Sequence, residues 1–558
     1  MHKPSRRTLL TASVAAVGSG LLSACTENGS HPQSRPEAGA TAKGPAKGPT
    51  RGPNHGFVPP GPRGFVNPSG PEVHAAERRR GSGPVRRFEF TAAETTVDLD
   101  GRKVRTWAYG DSVPGPLVRV TAGDVLSLNL ANHLPAETTL HSHGVRMRCD
   151  MDGVPSLTQE SIAPGADFTY RYTVSHPGTY LLHSHSGMQP DRGLYAPFIV
   201  DDPREPLHYD KEWLIVLDDW IDGVGGSTPD EVLSELRHGK TMSMDGMGMD
   251  KGMGNGPEAG GHGASAPPHP APAPAKPKGP SRMLHGKRSA ILHSVGGNVA
   301  YPHYLANGRL PGNPSVFRAR PGERIRVRII NAGSDTAFRV ALGGHRMIVT
   351  HTDGYPVEHT ETDALILGMA ERYDVLITAK DGVFPFVALA EGKGSRAMAL
   401  LRTSGKDSAP RADAYPDELD RELVPARRIN PDESVALSDR KPDREIRIRL
   451  TGDMKQYNWS FDHKPYSLTQ RHPIRQGERV RLTLINGTDM WHPMHLHGHT
   501  FAVVGLNGVG ARKDTSIVLP HRKLVVDFDA DNPGLWMLHC HNQYHSESGM
   551  MTILGYRT

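Results

Sequence analysis

Three stretches of the chain follow one pattern. RVTAGDVLSLNLAN (119–132), RARPGERIRVRIIN (318–331) and IRQGERVRLTLIN (474–486) each give Gly, an acidic residue, alternating apolar positions and a closing Asn. The Gly-to-Asn distance is the same in all three: 123 to 132, 322 to 331 and 477 to 486. Alternation with period two describes a strand with one buried face, and the Gly-acidic pair before it is a turn signal. Three equivalent strands in one chain imply three equivalent β domains. Helical periodicity is sparse, so an all-β chain of sandwiches or barrels is expected rather than an α/β fold.

Composition separates folded from unfolded parts. With 61 Gly, 47 Pro and 37% hydrophobic residues, the 558-residue chain reads as domains diluted by low-complexity segments. Residues 26–87 read as a disordered tether, and 223–283 as a Met/Pro-rich insert. The expected domains are then 88–204, 205–410 (carrying the insert) and 411–558. Residues 1–25 read as an export signal: Ser5-Arg6-Arg7 resembles a twin-arginine motif, and Leu22-Ser23-Ala24-Cys25 resembles a lipoprotein box. An exported protein, anchored only through a lipid on Cys25, is expected. The apolar run between those motifs is too short to span a membrane. A net charge of +5, spread along the chain, gives no case for nucleic-acid binding.

Three cysteines cannot build a disulfide framework, but thirty histidines and nineteen methionines suit metal binding. Four His-x-His pairs stand out: His141/His143, His183/His185, His495/His497 and His539/His541. Residues i and i+2 of a strand share a face, so each pair offers two imidazoles to one side. Eight imidazoles exceed the needs of one zinc. Two pairs lie in the first repeat and two in the third, which points to a multi-metal cluster between those domains. PGTYLLHSHSGMQ (177–189) and PGLWMLHCHNQYH (533–545) share a frame, but only the second places Cys between its histidines. Cys540 faces away from His539 and His541. With His492, His545 and Met550 it supplies two imidazoles, a thiolate and a weak axial thioether, the donor set of a blue-copper electron-transfer site. His539 and His541 flank Cys540, so the two sites are joined through the chain.

HSHG, HSH, HPMHLHGH and HCHNQYHSESGM together resemble the four copper motifs of the multicopper oxidases, over roughly residues 88–558. That resemblance implies three cupredoxin-like Greek-key domains, four coppers per chain and reduction of O2 to water. It implies His492, Cys540, His545 and Met550 as type 1 ligands and His141 and His495 as type 2 ligands. His143, His183, His185, His497, His539 and His541 become the type 3 ligands. Exported Met-rich bacterial copper-resistance oxidases are similar in style. Ser142 departs from the Trp of many relatives, with an effect expected on packing and not on ligation.

Asp152, in CDMDGVP, matches the family's acidic position beside the type 2 copper, and proton delivery is its expected role. Glu547 is a weaker proton-path candidate that reads mainly as a solvated loop carboxylate. Cys149 reads as a buried free thiol, Met494 as core, and Met490 as a residue approaching the substrate. His345, His351 and His359 read as structural. Met242, Met244, Met247, Met249 and Met253 offer thioethers suited to Cu(I). Cu(I) is therefore the expected electron donor and O2 the acceptor, in a monomeric enzyme serving copper detoxification. A laccase acting on phenols or aromatic amines is the alternative. A copper-sequestering protein without turnover would need no redox relay.

Overall fold

The computed structural model describes residues 57–238, 279–284, 287–405, 407–505 and 508–558. Each of the three domains is a pair of packed sheets. In the first, one sheet has the order Arg102–Tyr109, Val85–Leu99, Val125–Asn132, Asp167–Thr173. Its partner has the order Val118–Thr121, Tyr195–Asp201, Gly178–His183, His141–His143. The second and third domains each pair a six-stranded with a five-stranded sheet.

The repeated sequence occupies equivalent places. Val125–Asn132, Arg324–Asn331 and Arg479–Asn486 each run parallel to the opening strand of their domain and antiparallel to a later one. The turn before each strand needs its glycine: φ is 99° at Gly123, 88° at Gly322 and 84° at Gly477. The acidic residue closes that turn. Asp124 accepts from the Thr121 amide, Glu323 from Arg320 and Glu478 from Arg475, at 2.8–2.9 Å. The closing Asn is buried and ties down the corner that follows. Asn132 Nδ2 donates to the Ala136 and Ile162 carbonyls, Asn331 to Thr336 and Leu367, and Asn486 to Met490 and Val518.

The histidine pairs lie on the second sheet of domains one and three. His141–His143 pairs with Gly178–His183, setting His141 opposite His183. His492–Leu496 pairs with Leu535–Cys540, setting His495 opposite His539 and Met494 opposite Cys540. In domain two Phe338–Leu342 pairs with Val383–Ala390, and its paired positions are mostly apolar.

Two low-complexity expectations meet structure. Within the expected tether, Pro71–Arg79 is a helix with Val73 and Ala76 buried. Ahead of it the Val66 amide donates to the Tyr556 carbonyl, and Arg557 lies over the Phe65 ring. Glu77 accepts from the Thr173 amide of domain one, while Arg80 donates to Asn532 of domain three. Few apolar residues are present here, but Val66, Val73 and Ala76 are buried, so this part of the segment straps the two domains instead of dangling. Within the expected insert, Pro229–His238 is a helix burying Val232, Leu233 and Leu236. Cys25 and the five methionines of the insert lie outside the described residues.

Candidate metal centre

The structure gathers the eight paired imidazoles into one place. His141, His495 and His497 have ring nitrogens within 4.8 Å of one another, as do His141, His143 and His183, and His185, His497 and His539. His541 joins through Nε2, 3.4 Å from Nε2 of His183. On the far face of the Leu535–Cys540 strand a second group forms. Cys540 Sγ lies 3.6 Å from His492 Nδ1 and 3.7 Å from His545 Nδ1, and those two nitrogens are 3.1 Å apart. Met550 is fully buried, and its carbonyl accepts the Cys540 amide at 3.1 Å.

Hydrogen bonds to the outer ring nitrogens decide which nitrogen keeps a lone pair. Nδ1–H donates to the Asp152 carbonyl from His141, to Ser184 from His183, to Asp514 from His495 and to Cys540 from His539. His497 Nδ1 donates to Asp152 Oδ2 at 3.0 Å. All five therefore present Nε2 inward. His143 is reversed: Nε2 donates to Asp514 Oδ1 at 3.0 Å, leaving Nδ1. In the second group the outer nitrogen of His492, Nε2, meets Thr488 Oγ1 at 2.9 Å. His545 Nε2 lies 2.7 Å from the Asn298 side-chain amide. That amide nitrogen also donates to Asp335 Oδ1 at 3.2 Å. In both rings Nδ1 is the nitrogen nearer the Cys540 sulfur.

These residues fit metal ions and little else. His497 Nε2 and His539 Nε2 face each other at 3.1 Å although each ring has given its proton to an outer acceptor. Two lone pairs that close need a cation between them. Nε2 of His141 and His495 and Nδ1 of His143 are buried without any partner. Burial, reinforced by neighbouring imidazoles, lowers the pKa of His143, His185, His495, His497 and His541, bringing His539 to about 4 and His183 to about 3. The rings stay neutral and able to ligate. Burial likewise pushes the Cys540 thiol up, so a metal there must displace its proton.

Asp152 is fully buried and bridges the domains: Oδ2 takes the His497 proton, and Oδ1, without a hydrogen-bond partner, lies 3.2 Å from His141 Nδ1. The following Gly153 is required there, since a Cβ would sit 2.0 Å from the Leu140 carbonyl. Glu547 departs from expectation. It is half-buried beside Arg237, and burial pushes its carboxyl up to about 7. Met490 is core, with its sulfur 3.5 Å from Ser294 Oγ and no approach to the surface. Cys149 Sγ packs between domains one and three on the backbone of Leu535. Ser142 accepts from the Tyr172 hydroxyl, a packing contact. His345, His351 and His359 join none of the metal-competent groups found among the described residues. The outer acceptor Asp514, with Thr515 and Arg372, is not foreshadowed by any spacing in the sequence.

Three models described as multicopper oxidase match residues 91–205, 285–406 and 439–557. Multicopper oxidase MmcO of Mycobacterium tuberculosis is 45% identical over 487 residues, covering 87% of this chain and 90% of the relative. A copper resistance protein A homolog of Pseudomonas syringae pv. tomato is 29% identical over 551 residues, covering 83% and 91%. Among solved structures, a laccase from Botrytis aclada superposes with a TM-score of 0.68 at 22% identity, covering 88% of this chain and 90% of that one. Fet3p, a multicopper oxidase that functions in iron import, gives 0.67 at 22%, covering 85% and 90%. At these identities the solved structures speak for the three-domain cupredoxin-like fold. With the MmcO match spanning nearly all of its folded length, the chain belongs to the multicopper oxidases, copper-dependent oxidoreductases.

Proposed function

We propose that this oxidase takes its electrons from Cu(I), converting it to Cu(II) in copper detoxification. The proposed ligand roles are as follows. His492, Cys540, His545 and Met550 hold the type 1 ion. His141 and His495 hold the type 2 ion. His143, His183 and His541 serve one type 3 ion, and His185, His497 and His539 the other. Copper bound there would supply one-electron redox chemistry for the reduction of O2 to water. The balance is four Cu(I), one O2 and four protons to four Cu(II) and two waters.

The chain's own residues do the rest. Cys540 is bonded through the backbone to His539 and His541, giving electrons a short covalent path between the two faces of the strand. Asp152 sets Oδ1, the oxygen left without a hydrogen-bond partner, beside the type 2 and type 3 ligands His141 and His497, where a carboxylate can relay protons.

One observation favours Cu(I) over a phenol. His492 and His545 are both 0% exposed. The helix Pro229–His238 is fastened there: Arg237 donates to the Glu547 carbonyl and to Ser548 Oγ, just past His545. An aromatic ring would have to displace protein to touch either imidazole, whereas an electron needs no open cleft. The same helix leads directly into the segment that carries Met242, Met244, Met247, Met249 and Met253. Thioethers select Cu(I). The export signal and the lipid anchor on Cys25 belong to the same proposal, as does a monomeric state. No helix among the described residues is long and apolar enough to cross a membrane.

The test is oxygen uptake by the copper-loaded protein with stabilised Cu(I) as sole donor. Saturable uptake that is lost when the five methionines become Ser, with phenol oxidation spared, is the expected result. A blue protein that oxidises a phenol but takes up no oxygen with Cu(I) is a laccase, and the proposal fails.

A further inference from the structure

The middle domain supplies none of the clustered imidazoles, yet one of its side chains reaches the carboxylate that holds one of them. Arg372 opens the strand Arg372–Thr378 and is completely buried. Its Nη1 and Nη2 donate to the two carboxylate oxygens of Asp514 in domain three, both at 2.7 Å. Its Nε donates at 3.0 Å to the carbonyl of Thr179, on the domain-one strand that carries His183. Asp353, also in domain two, accepts the Arg372 amide on Oδ1 and the Asp514 and Thr515 amides on Oδ2. All three domains therefore meet at one carboxylate.

Asp514 passes that constraint to the ligands. Its Oδ1 takes the Nε2 proton of His143 at 3.0 Å, and its carbonyl takes the Nδ1 proton of His495 at 2.9 Å. Thr515 Oγ1 donates to the same Oδ1 at 2.9 Å. One residue thus sets the tautomer of an imidazole from domain one and of another from domain three. His143 is turned so that Nδ1 faces the cluster, where the other readable rings present Nε2. The glycine of HSHG shows that space is reserved for this arrangement. A Cβ on Gly144 would lie 2.4 Å from Arg372 Nη2 and 2.4 Å from Asp514 Oδ2. Domain two also holds a buried ion pair that touches no cluster imidazole: Arg326 Nε and Nη2 both donate to Asp374 Oδ2.

We propose that Arg372 is a positioning residue for the trinuclear copper centre. It locks Asp514, and through it the ring orientations of His143 and His495, so that the copper-free middle domain controls the cluster's geometry. This rests on the reading of His143 and His495 as copper ligands. A buried pair can instead serve only to hold domains together, and the two roles leave different traces. Lysine keeps the charge of arginine but cannot grip two carboxylate oxygens and the Thr179 carbonyl at once.

The experiment compares Arg372→Lys with Arg326→Lys, which breaks a buried pair in the same sheet. Both are loaded with copper and read by total copper, the blue absorption of the type 1 ion, and the electron paramagnetic resonance of the type 2 ion. Arg372→Lys is expected to keep its blue absorption. Its type 2 resonance should change, and it should lose about 10- to 100-fold in affinity for the cluster ions. Arg326→Lys should match the wild type in all three. The proposal is overturned if Arg372→Lys shows an unaltered type 2 resonance at full copper loading, or if both variants lose blue absorption and cluster copper together. Should Arg372→Lys fail to fold, the near-isosteric Asp514→Asn carries the same comparison. A wild-type protein with no type 2 resonance would defeat the ligand reading itself, a separable result.

Discussion

Cys540 Sγ lies 3.6 Å from Nδ1 of His492, while His539, its neighbour in the chain, turns away to meet His497 on the opposite face. A single strand thus places a metal-competent side chain on each face. Replacing Cys540 by Ser should remove the blue absorption and end oxygen uptake with Cu(I) and with phenols. The cluster on the other face keeps all its imidazoles and should still load copper with its type 2 resonance present. Absorption and resonance spectra with a copper count check this, and turnover surviving in Cys540→Ser would break the relay.

Asp152→Asn keeps the shape of the side chain and removes the carboxylate. The side chain can then no longer relay protons as a carboxylate, while a contact to His497 remains feasible. The expected loss of kcat is on the order of 10- to 100-fold, with the blue absorption unchanged. Steady-state kinetics beside the type 1 spectrum decide it, since an unchanged kcat would leave Asp152 only a turn-forming role.

How much of this was legible in the chain depends on how far apart the contributing residues are. The His-x-His pairs are readable because two residues on one strand face need only period two, and the Cys between His539 and His541 announces the opposite face. The repeated Gly-acidic-Asn frame is local too: its carboxylates and its asparagines bond within their own corners or to the adjoining strand. The carboxylates that hold the outer ring nitrogens are not local. Asp514 meets His143 across 371 residues, and Asp152 meets His497 across 345. Neither contact leaves a periodic trace. The strap at Pro71–Arg79 was hidden for another reason. Its sequence is charged and poor in apolar residues, and its helix is held by Glu77 and Arg80 reaching other domains as much as by its own buried face.

Under the proposed ligation, protons and copper compete for the same lone pairs, and the pKa shifts set the direction. Burial lowers His539 to about 4 and holds His183 and His545 at about 3, all below the unfolded value near 6.5. Between pH 6.5 and 4 the unfolded chain therefore binds more protons than the copper-free folded chain. Stability of the copper-free protein should fall as pH falls through that window, by roughly 3 kcal/mol for a single imidazole shifted as far as His539. Copper occupying the lone pairs should blunt the effect. Urea unfolding of both forms from pH 7 to 4 is the measurement. A flat profile for the copper-free form would mean that these rings protonate in place.

The triplicated asparagine permits a prediction with its own control. Asn331 and Asn486 hold equivalent corners, each with Nδ2 on two or more carbonyls and Oδ1 on a backbone amide two residues on. Removing either side chain strands buried carbonyls and an amide. Asn331→Ala and Asn486→Ala should therefore destabilise their domains comparably, by about 1–3 kcal/mol for the unsatisfied groups. Their functional consequences should differ. Asn486 Oδ1 also accepts from Thr488 Oγ1 at 2.8 Å, and that hydroxyl lies 2.9 Å from His492 Nε2. Releasing Thr488 frees the outer nitrogen of His492 and with it the ring orientation that the proposed type 1 ligation needs. Asn486→Ala should shift the blue absorption and weaken type 1 copper retention against a chelator, while Asn331→Ala leaves both unchanged at a similar calorimetric cost. Equal spectra in the two variants would show that the corner serves stability alone and that the type 1 ligands are positioned without it.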